Sequence, residues 1–145
     1  MKKTVPVLVL AAICALAIIS CKTTKALVTD DTFHRIYNKY YNDLILEGSR
    51  THTVKSGDTL SRISNSYYSD GYYYPVIMLA SKDIVADPDK IEPGMILIIP
   101  DLQRNLNDAK AKASIKGVIL DCAKLEDDRG RASTAKGLRD HANSL

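Results

Sequence analysis

Apolar residues recur along this chain with several different periods. Val5 to Ile19 is a short, nearly unbroken apolar run behind Lys2-Lys3. A positive start and a short apolar core make a secretory signal, and the run is near the lower length limit for spanning a bilayer. Residues 1–20 therefore read as a signal segment and the polar residues 21–31 as a tether. Between 32 and 48, Phe33, Ile36, Tyr37, Tyr40 and Leu44 share one helical face; Asp31 or Thr32 can cap the start and Gly48 can end it. Asp101 to Asp128 reads as one long polar helix, with a stripe of Leu102, Leu106, Ala109, Ala113, Leu120 and Ala123. Gly130 breaks it, and Ala132, Ala135, Leu138 and Ala142 mark a shorter second helix. Residues 102–145 thus predict a helical hairpin with a narrow, Ala-rich stripe. Such a stripe needs a larger surface to pack on: the Phe33–Leu44 helix, the patch around Ile98, or another protein.

The middle of the chain, residues 50–101, changes character. Thr53 and Val54 suit a strand, Gly57 suits a turn, and Asp58 or Thr59 can cap the helix that follows. Leu60, Ile63 and Tyr67 make one face of that helix, and Ser69-Asp70-Gly71 stops it. Tyr74-Pro75 starts a second helix, with Pro75 in the first turn where its missing N–H costs nothing. Pro93-Gly94 is a turn, and Ile96 to Ile99 is a short apolar strand closed by Pro100. Two strands alone are marginal in water, so the helices must cover them. The expected core is Val54, Leu60, Ile63, Ile77, Ala80, Ile91, Leu97 and Ile99.

The landmarks His52-Thr53-Val54-Lys55-Ser56-Gly57-Asp58-Thr59-Leu60, then Pro88-Asp89-Lys90-Ile91-Glu92-Pro93-Gly94, then Leu97-Ile98-Ile99-Pro100 resemble those of a LysM (lysin motif) domain. The resemblance runs from His52 to Pro100, about a third of the chain. It implies an α+β fold: a small βααβ domain with a two-stranded antiparallel sheet, flanked here by the N-terminal helix and the C-terminal hairpin. It also implies binding to N-acetylglucosamine-containing glycans of the peptidoglycan or chitin type, in a shallow groove between two loops. Those loops match Gly57, Asp58, Thr59 and Leu60 on one side, and Ile84, Val85, Ala86, Asp87, Pro88 and Ile91 on the other. Asp58 and Thr59 serve equally well as helix caps. Three positions depart from the family pattern. Ser81 stands where Asn is frequent, Met78 lies where a large aromatic is frequent, and Ile98 replaces a polar residue, so another segment is expected to cover it. Tyr67, Tyr68, Tyr72, Tyr73 and Tyr74 surround the loop between the two helices; packing is the simpler account of them, and they fall outside the implied groove.

Charge and cysteines narrow the functional classes. Of 20 basic residues, Lys2 and Lys3 lie in the signal, so the remainder is nearly balanced by 17 acidic ones. That balance argues against nucleic acid as the principal partner. Ile18-Ile19-Ser20-Cys21 resembles a bacterial lipobox, in which a Cys after a small residue is lipidated and becomes the new N-terminus. Cys21 is then the lipidation site, and acyl chains would hold the domain at a membrane. Lys22 after Cys21, in place of Asp, favours the outer membrane over the inner. Cys14 leaves with the signal, so Cys122 stands alone, expected to be a small buried hydrophobe. His34 has no second ligand at metal spacing, so no metal is implied and no cofactor is needed. The sequence carries no catalytic signature: Cys122 and His141 lack a Gly-rich turn, and Asp87-Pro88-Asp89 matches a family loop. Two functions follow. One is a lipid-anchored envelope protein, facing the periplasm, that binds glycan. The other is an envelope scaffold whose flanking helices bind a protein partner while the LysM unit only targets the wall.

Overall fold

The computed structural model describes residues 30–145. The apolar run, Cys21 and most of the tether lie outside the described residues. The elements are α1 (Asp30–Tyr40), β1 (Arg50–Thr53), α2 (Leu60–Tyr68), α3 (Tyr74–Ala80), β2 (Ile96–Ile99), α4 (Leu102–Asn107), α5 (Ala109–Asp128) and α6 (Ala132–Ser144). Short 3-10 turns at Tyr41–Asp43 and Gly71–Tyr73 follow α1 and precede α3. β1 and β2 pair antiparallel, with His52 opposite Leu97 and Thr51 opposite Ile98. The fold is the expected α+β, with a βααβ unit between helical flanks.

α3 lies at the centre. All of its residues, Tyr74 to Ala80, are buried. Its sequence is apolar on every side, and such a helix must be enclosed on every side. Within the βααβ unit, α2 and β2 pack against it; α5 supplies the remaining wall. The expected core residues are buried except Ile91, which is half-buried at the edge of the cluster. Ser81 follows α3, and its hydroxyl accepts the backbone N–H of Ile98 at 2.9 Å, which ties the end of α3 to β2.

The flanks differ from the sequence expectation in two ways. The N-terminal helix, expected over 32–48, ends at Tyr40, tightens into the 3-10 turn and is extended by Leu44. Its stop is made by a residue far away: the Asn105 side chain accepts the N–H of Ile45 at 2.8 Å and donates to its carbonyl at 2.9 Å. That amide pairs both backbone groups of Ile45, much as a neighbouring strand would, and no helix bond is then available to them. Secondly, the single helix expected from Asp101 is two. Asp101 caps α4, and the Asp108 carboxylate caps α5 by accepting from Lys110 and Ala111 N–H groups at 3.0 and 2.8 Å. The break resets the helical phase. The buried stripe of α5 is therefore Ala111, Ile115, Val118, Ile119, Cys122, Ala123 and Leu125; of the expected stripe Ala123 is buried, whereas Ala109, Ala113 and Leu120 are exposed. The α5–α6 hairpin packs on α1, one of the surfaces expected for it, and on α3. A Cβ on Gly117 would lie 2.5 Å from the Tyr40 ring, so α1 sits directly against the α5 backbone. Ile98, within β2, is half-buried.

Candidate functional site

The first implied glycan loop leaves β1, and the second runs from the end of α3 toward β2. Val54 continues β1, donating to Met95 and accepting from Gly94, each at 2.9 Å. These bonds draw the root of the first loop against the end of the second.

The first loop is held by its own residues. Asp58 accepts the Lys55 N–H at 2.9 Å and meets the His52 imidazole at 2.9 Å. The other ring nitrogen of His52 lies 3.3 Å from the Tyr67 hydroxyl. The bond from His52, followed by that from the Lys55 N–H, holds the Asp58 carboxyl below the ordinary carboxylate range. Gly57 has φ +86°, and open space surrounds the position a Cβ would take. Its backbone angle, not a crowded neighbour, selects glycine. Thr59 caps α2: its hydroxyl accepts the Arg62 N–H at 3.3 Å. Leu60 is buried beneath the loop.

The second loop is held from outside. Its first turn is local, with Ile84 and Val85 N–H groups donating to the Ser81 carbonyl at 2.9 and 2.8 Å. Beyond that the flanks take over. Tyr37 of α1 donates its hydroxyl to the Val85 carbonyl at 2.5 Å, and burial keeps that phenol protonated by raising its pKa. Arg129, at the end of α5, spans Asp87 at 3.1 Å and Asp89 at 2.6 Å, with its guanidinium over the Phe33 ring at 5.2 Å. Arg131 adds a second bond to Asp89 at 2.8 Å and pairs with buried Glu126. Burial alone would raise the Asp87 pKa; the Asp89 N–H and the Arg129 guanidinium outweigh it and hold the carboxyl below its ordinary value.

An open cleft of about 260 Å³ lies between the loops. Thr59 and Leu60 of the first loop line it, as does Pro88 of the second. Gly57, Asp58, Ile84, Val85, Ala86, Asp87 and Ile91 do not. Val85 is buried to 1%, and Asp87 is engaged by Arg129, so these two shape the loop rather than present side chains. Ile84 and Ala86 are exposed on its outside. The cleft also has walls that the sequence reading left out. Ser61, Tyr74 and Asp89 come from the βααβ unit; Glu126, Arg131 and Thr134 come from the C-terminal hairpin. Tyr74, set aside with the other tyrosines, is buried and forms part of the cleft. The hairpin residues carried no local signal of their role, because only tertiary packing brings them there.

Chemically, the cleft pairs an apolar surface at Leu60, Pro88 and Tyr74 with hydroxyls at Thr59, Ser61 and Thr134. Its charges are already matched with one another. That combination suits an uncharged polyhydroxylated ligand. Cys122 is buried in α5, where burial raises its thiol pKa, so it is neither a reactive thiolate nor placed for an intermolecular disulfide. Among the described residues, no group of three or more His, Cys, Asp or Glu side chains is placed to hold a metal ion.

Residues 52–100 match the family model of the LysM domain, a module that generally binds peptidoglycan and related N-acetylglucosamine-containing glycans. No curated protein and no solved structure matches the chain.

Proposed function

We propose that this is a lipid-anchored envelope protein that holds peptidoglycan non-covalently through its LysM domain. The observation that supports the reading is the cleft between the two LysM loops, lined by Leu60, Pro88 and Tyr74 together with the hydroxyls of Thr59, Ser61 and Thr134. The anchor rests on Ser20-Cys21 behind the apolar run, and Lys22 favours the outer membrane. The scaffold reading relied on apolar stripes on the flanks. The buried faces of α1, α5 and α6 are turned into the core, which leaves Ala109, Ala113 and Leu120 as the exposed part of the expected stripe.

Two experiments test the proposal. A soluble chain of residues 22–145 is expected to sediment with insoluble peptidoglycan and to be released by chitin oligomers. Failure of both overturns the glycan role. Cys21→Ala is expected to leave an unprocessed precursor that takes up no fatty-acid analogue; normal processing and labelling would overturn the anchor.

A further inference from the structure

We propose that the glycan site continues out of the LysM loops along α2 as far as Tyr72, forming a second sugar-binding segment built jointly by the LysM unit and α6. The proposal rests on the glycan-binding reading above and extends it to longer chains.

Two clefts meet on this face. The loop cleft, at about 260 Å³, falls below the roughly 300–1,000 Å³ of ordinary small-ligand sites. The second, at about 500 Å³, shares Ser61, Tyr74 and Thr134 with it and runs on past Asn65 and Asp70 to Tyr72. The shared residues make one groove of the two. Its far side is α6, which lies outside the matched LysM residues.

The lining suits a neutral sugar. Ser61 and Thr134 present hydroxyls, and the amide of exposed Asn65 can both donate and accept. Tyr72 is 41% exposed, the most exposed tyrosine in the cluster. It is nevertheless held in place. Its N–H donates to Asp70 at 2.7 Å, and its hydroxyl lies where a Cβ on Gly137 would fall, 2.2 Å away. The His141 ring lies 6.1 Å from it. An aromatic face fixed in this way and wet on the other side can stack on a sugar ring with little ordering cost. Anionic ligands find no unmatched cation in the loop cleft, because Arg131 is already paired with Glu126 and Asp89. The ligand class is therefore an uncharged chain of N-acetylated hexosamines, long enough to pass from one cleft into the other.

The test compares chitin trimer and hexamer on the soluble 22–145 chain by calorimetric titration. The hexamer is expected to bind about tenfold more tightly, beyond the statistical gain from its extra registers, as one or two net hydrogen bonds and a stacked ring would give. Asn65→Ala is expected to lower hexamer affinity several-fold and Tyr72→Ala to remove most of the advantage. Both should leave trimer affinity and the melting temperature of Asn65→Ala unchanged. Trimer binding without a hexamer advantage, or an advantage that survives both substitutions, overturns the extension while leaving the loop site standing. If the parent binds neither oligomer, the glycan reading fails and the extension fails with it.

Discussion

The two loops that frame the cleft are built by opposite means. The first is stabilised within ten residues or so of itself: His52 to Asp58, Asp58 to Lys55, Thr59 to Arg62. The second depends on groups that lie some 40 residues away in either direction, Tyr37 on one side and Arg129 and Arg131 on the other. One wall of the cleft is thus a local motif, and the other is a product of the whole fold. A substitution in the flanks should therefore reach the site through the second loop and leave the first in place.

The largest effect is expected from Arg129→Ala. It removes a guanidinium that is 14% exposed and leaves Asp87, 13% exposed, without its main cation. Breaking such a buried pair typically costs about 3 kcal/mol. Urea denaturation should show the loss, and hydrogen exchange should rise across Val85 to Ile91 more than across Lys55 to Leu60. Equal rises in both loops would contradict the division between them.

Tyr37→Phe should come next. It leaves the Val85 carbonyl without its donor at the cost of about 2 kcal/mol, with the ring packing retained. Glycan affinity should fall with it, since the second loop loses its tie to α1. An unchanged midpoint would mean that the loop holds its shape without the flank.

Thr59→Ala strikes the first loop instead. Loss of the cap should cost about 1 kcal/mol and leave exchange in the second loop unaltered. If glycan affinity falls further than the unfolded fraction explains, the Thr59 hydroxyl touches sugar as well as capping α2.

The smallest effect is on acid stability. Asp58 and Asp87 both have folded pKa values lowered from the ordinary 3.8. A lowered carboxylate stabilises the fold fully above its unfolded value, and that contribution is lost as pH falls through the lower folded value. Stability should therefore decline below the ordinary carboxylate range. Asp87→Asn should flatten that decline through the second loop and Asp58→Asn through the first, both measurable as denaturation midpoints against pH.

The same division explains what could be read from the chain. The first loop was legible because Gly57, Asp58 and Thr59 act on neighbours, and turn and cap chemistry is local. The strands, α2 and α3 were legible for the same reason. The second loop was legible in position but not in support, because nothing near Asp87 announces Arg129. The split between α4 and α5 is hidden in the sequence because Asp108 looks like one more polar residue of a long helix. Its carboxylate begins a new helix, and Ile115, Val118, Ile119 and Cys122 already marked the correct buried face. The end of α1 was not legible at all, since Asn105 makes it from a distance.

The enclosed position of α3 has a consequence for timing. Synthesis runs from the N-terminus, so both strands and the two short helices exist before α5 does. Until then α3 is an apolar rod with one side bare, and the central core lacks its last wall. The core around α3 can close only when α5 is present. On the envelope location proposed above, that order would let the translocation machinery meet an extended chain, with the core closing on the far side once α5 arrives.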